Sequence, residues 1–141
     1  MSRVINPESA GKDRARLSKA IVAAMRELAS QREPTDAARD LAAFIALALN
    51  TIAQGIDASV AAWEKRGYWV KADRFRMDWM WAGQLGEKMK TAVLAEDWAA
   101  VASLLPQIAS RLGKIEVGAN HRLGTPWKGS WSALRQQREQ E

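Results

Sequence analysis

Apolar residues recur at helical spacing along nearly the whole chain, and only short breaks separate the runs. A chain patterned this way is confined to packed helices. The longest run reads as one helix from Asp36 to about Arg66, capped by Thr35, with Leu41, Ile45, Ala48, Ile52, Ile56 and Trp63 on one stripe. Gly67 suits the position after its end, where the backbone turns to positive φ.

The same reading extends in both directions. Asn6 and Pro7 look like an N-cap and a first helical residue, followed by the stripe Leu17, Ile21, Ala24, Met25 and Leu28. Pro34 breaks that helix by disfavouring helical geometry in the residue before it. A third helix runs from about Trp69 to Ala95, with Tyr68, Ala72, Phe75, Trp79, Ala82, Met89 and Val93 pointing inward. Asp97 caps a fourth, whose stripe is Trp98, Val101, Leu105, Ile108 and Leu112; Pro106 is expected to kink or divide it.

Short links force neighbouring helices to run antiparallel. The expected fold is therefore all-α: an antiparallel up-down four-helix bundle over residues 1–112, with an irregular C-terminal tail ending in a short helix. That tail, residues 113–141, is punctuated by glycines. Thr125 and Pro126 are expected to open its helix, placing Trp127, Trp131 and Leu134 on one apolar face that packs on the bundle or on a neighbouring subunit. Helices two and three should span about 40–46 Å and helix four about 24 Å, so one end of the bundle is left uncovered unless the tail or another subunit fills it.

Composition removes several function classes. The chain has no cysteine, hence no disulfide framework, thiol catalysis or thiolate metal site. Its single histidine, His121, sits in the tail away from any apparent nucleophile. No Glu-x-x-His pair suggests a di-iron bundle, and no glycine-rich phosphate loop appears. The carboxylates Asp36, Asp73 and Asp78 have arginines three or four residues away and read as solvated ion pairs. No catalytic, cofactor-binding or metal-ligating residue is expected, and an enzyme is not. The opening MSRVINPESAGKDR turns polar within a few residues, and the apolar run Leu41 to Leu49 is too short for a bilayer, which needs about 20 residues. A cytoplasmic protein without membrane insertion is expected.

What remains is a surplus of apolar surface. The stretch Ala62 to Gly83 holds four tryptophans, a tyrosine and a phenylalanine among five Lys/Arg residues. Val70, Met77 and Trp81 lie off the inward stripe of helix three, and Phe44 and Leu47 lie off that of helix two. The tail could cover these positions. A second copy or another protein could do so instead, with Arg74 and Met80 as flanking contacts and Trp127, Trp131 and Leu134 clasping a neighbour. The net charge of +5 is spread evenly along the chain. The expected function is thus a non-enzymatic protein–protein interaction or scaffold module, a homo-oligomer. The alternatives are a nucleic-acid-binding protein using the basic and aromatic segment 63–81, and a carrier of a small apolar ligand in a Trp-lined pocket at the open end.

Overall fold

The computed structural model describes residues 7–140. It is all-helical, with five helices among the described residues: α1 (Pro7–Ala29), α2 (Asp36–Lys65), α3 (Trp69–Leu94), α4 (Trp98–Arg111) and α5 (Ser130–Gln140). The expected cap at Asn6 lies outside the described residues. Elsewhere the local signals act as anticipated. The Thr35 side chain accepts from the Ala38 N–H, and Asp97 does the same for Ala100. Pro106 does not divide α4; it lies on an exposed part of a continuous helix, where water can serve the carbonyl that lacks a partner.

Helix α2 is the axis of the molecule. Helices α1, α3 and α5 all pack on it, while α4 packs mainly on α3 and touches α1 lightly. Residues 41–46 are buried without interruption, so at that level α2 is surrounded on every side. Small residues make this possible: Ala42, Ala43 and Ala46 leave no accessible surface and let neighbouring backbones come close. Gly86 on α3 shows how close. A Cβ there would stand 2.6 Å from Asn50 Oδ1 and 3.1 Å from Leu49 Cβ. The largest fully buried side chains, Ile21, Ile45, Leu49, Met89, Ile108 and Leu134, come from all five helices.

The tail passes α1 and returns to α2 before it ends. Arg26 on α1 donates to the carbonyls of Val117 (2.8 Å) and Gly118 (3.3 Å), tying down the strand that leaves α4. The chain then returns to α2. Here the structure corrects the expected helix start: residues 126–129 form a turn, Gly129 adopts φ 83°, and α5 begins at Ser130. Trp127 therefore precedes the helix. Its N-terminal N–H groups are capped from another element, because Asp40 of α2 accepts from Gly129 N (3.2 Å) and Trp131 N (2.9 Å).

Two hairpin turns share one geometry and differ in chemistry. After α2, Gly67 N bonds to Glu64 O and Tyr68 N to Trp63 O, with Gly67 at φ 81°. After α3, Glu96 N bonds to Val93 O and Asp97 N to Ala92 O, but the left-handed position is held by a glutamate, φ 51°. Its side chain offers compensation: Glu96 Oε1 accepts from Arg39 Nε at 2.6 Å, and the same guanidinium reaches Asp36 at 3.0 Å. The hydrogen bond to Glu96 is the chief reason that the Arg39 pKa is raised.

Candidate interaction surface

The aromatic segment divides into an inner stack and an outer display. Trp63 and Phe75 meet edge to face across the α2–α3 hairpin at 4.8 Å, and Trp79 stacks on Trp81 at 5.7 Å. Arg14 of α1 lies over both Phe75 (5.1 Å) and Trp79 (5.3 Å), and partial burial there lowers its pKa. Trp63 carries Lys71 over its ring at 4.7 Å. The Arg14 contacts tie the α2–α3 hairpin to α1.

Tyr68 does not join that stack. It is 55% exposed, against the inward position expected of it. The reason is the left-handed turn at Gly67: Tyr68 is the N-cap of α3, outside the helix, so helical phase does not govern its direction. Trp69 and Val70 follow it into solvent, and Val70 is 75% exposed. Further along, Met77 (72%) and Met80 (48%) are exposed too. Trp69, Val70, Met77 and Met80 fall within about 100° of arc on α3, turned away from α2.

The other candidate positions have partners within the chain. Phe44 is buried and meets Trp127 edge to face at 6.4 Å. Leu47 and Trp131 are half-buried against the core, and Leu134 has no exposed surface. Trp81 is buried, although it lies off the inward stripe, because α3 has a second neighbour: α4 packs on that side, and Trp81 shares a cleft with Pro106 and Arg111. Of the ten positions singled out in the sequence, Val70, Arg74, Met77 and Met80 are the ones left open.

Where α4 stops, the line that it follows along α3 continues as a groove. At about 1.5 Å per residue α3 is about 39 Å long and α4 about 21 Å, so α4 ends beside Trp81 and leaves the first half of α3 uncovered on that side. The groove has a volume of about 610 Å³ and is lined by the aromatic residues Trp63, Tyr68, Trp69 and Phe75, with the charged Lys71, Arg74 and Asp78.

Charge is uneven here. Residues 64–78 hold five cations (Lys65, Arg66, Lys71, Arg74, Arg76) and three acids (Glu64, Asp73, Asp78), a net +2 in a chain of net +5. Arg76 bonds to Glu64 and Asp73, whereas the ion pair expected between Arg74 and Asp78 does not form. Among the described residues no ion pair engages Lys65, Arg66, Lys71 or Arg74, all of which are exposed.

Chemistry elsewhere is sparse. No group of three or more His, Asp or Glu among the described residues is placed to hold a metal ion. His121 Nδ1 accepts from the Leu123 N–H two residues on, a local loop contact. One described helix, α2, is long and apolar enough to cross a membrane, but 56% of its most apolar window is buried inside the protein. The fold and surface define an all-helical protein with an exposed apolar and basic tip. Comparison with protein-family models, curated proteins and solved structures finds no significant match to this chain.

Proposed function

We propose that the protein is a non-enzymatic interaction module: α1 to α4 form an up-down four-helix bundle, and the bundle associates with a second copy of itself. The observation that carries this reading is the open strip of α3. Val70, Met77 and Met80, with Arg74 beside them, stay exposed while the chain's own tail covers apolar surface on α2. Methionine and arginine are favoured at protein interfaces, and a strip of this kind on a straight helix can pair with its own copy about a twofold axis.

Light scattering over a concentration series tests it. The wild type should gain mass toward a dimer, and Met77→Asp should remain a monomer with unchanged helix content by circular dichroism. A wild type that stays monomeric at high micromolar concentration removes the proposal. The groove supports a second reading, a carrier of a small apolar ligand, because its volume lies in the range of small-molecule sites and aromatic residues line it. Saturable quenching of tryptophan fluorescence by an apolar aromatic ligand, abolished by Phe75→Ala, is the result expected of a carrier.

A further inference from the structure

We infer that the α2–α3 tip docks on an anionic phospholipid surface, with Tyr68, Trp69 and Val70 entering the headgroup layer and Lys65, Arg66, Lys71 and Arg74 meeting lipid phosphates and carboxylates. This is adsorption at one end of the bundle. It differs from a membrane span and goes beyond self-association.

Order along the chain is the first ground. The run Lys65-Arg66-Gly67-Tyr68-Trp69-Val70-Lys71 places three exposed apolar residues at the turn with cations on both sides. Tyrosine and tryptophan rings, apolar with a polar edge, are most at ease at a membrane–water interface. Shape is the second. On the side where α4 stops beside Trp81, nothing from α4 reaches the level of Trp69, so a flat partner has access. The Gly67 turn, with both of its backbone bonds made, holds the three side chains out as a fixed point.

Charge is the third. Arg76 engages Glu64 and Asp73, and the four cations that no ion pair engages outnumber the one remaining acid, Asp78, around the apolar point. Two such tips facing each other would bring cations against cations, so self-pairing would centre on Met77 and Met80 and leave the tip free. A nucleic acid fits less well than a membrane. Tyr68 and Trp69 expose their rings, but successive bases need a row of open faces, and here Trp63 is covered by Lys71 and met by Phe75 while Val70 cannot stack at all. The cations also surround a point where a strand would need a track.

Co-sedimentation of the full chain with unilamellar vesicles tests the inference. Vesicles of phosphatidylcholine containing about a third phosphatidylserine should carry the protein down at physiological ionic strength and release it in about 0.5 M salt. Vesicles of phosphatidylcholine alone should not. Lys65→Gln with Arg66→Gln should weaken partitioning about 30-fold, at about fivefold per cation. Trp69→Ser, which leaves the charge intact, should weaken it separately. Circular dichroism confirms that each variant is folded, and Lys128→Gln, which removes a cation at the Trp127 and Phe44 end instead, should bind vesicles like the wild type.

Absence of binding to the anionic vesicles overturns the inference. So does equal binding to neutral vesicles, or binding that both sets of tip substitutions leave unchanged. A tip-dependent gel shift with single-stranded oligonucleotides and no vesicle binding overturns it in favour of nucleic acid. Because Met77→Asp addresses self-association and the tip variants address lipid, each reading can fail alone.

Discussion

The two ends of α2 present the same kind of surface and meet different fates. Near its start, residues 41–46 are wrapped by α1, α3 and α5, and the off-stripe Phe44 is sealed by Trp127. Near its end, the hairpin carries Tyr68, Trp69, Val70 and Met77 into solvent. The tail explains the difference. It is tied to α1 through Arg26 and to α2 through Asp40, both of which hold it toward the first end. A reach set by two polar anchors decides which apolar face becomes core and which stays available.

Substitutions can break this contrast at either end. The largest effect is expected at the covered end: Leu134→Ala should lower stability by about 3 kcal/mol in urea denaturation, since a fully buried leucine leaves a cavity. Gly86→Val follows at about 2 kcal/mol, through overpacking against Asn50 where α2 and α3 approach most closely. At the open end, Gly67→Ala should cost about 1–2 kcal/mol. No atom lies within 4 Å of the added Cβ, so the loss is purely that of a left-handed backbone. Asp40→Ala should cost about 1 kcal/mol and speed amide exchange at Trp131, which would identify this remote carboxylate as the cap of α5. Smallest of all, Met77→Ala should leave the thermal midpoint of the monomer unchanged within the effect of about 0.5 kcal/mol expected of a surface site. A large loss there would mean that the strip is already covered.

Much of the frame was legible beforehand because helix ends are written in neighbouring residues. Thr35, Asp97 and Gly67 act within three or four positions of themselves, and the helices end within a residue or two of where those signals put them. Sequence and structure part where a single helical phase cannot describe a turn or a helix with two neighbours. Tyr68 was assigned to a stripe although the turn before it breaks the phase. Trp81 was placed outside because one inward face was assumed, whereas α3 has α2 on one side and α4 on another. The start of α5 was misplaced because its cap, Asp40, stands far away in the chain.

The amino-acid order alone determined that this protein is helical, where its rods begin and end, and that it carries more apolar surface than a simple bundle hides. Those properties depend on contacts within one or two turns. Only the tertiary structure decided which surplus was buried, because burial depends on which distant segment arrives, and a few long-range hydrogen bonds direct the tail to Phe44 and leave Trp69 and Met77 bare.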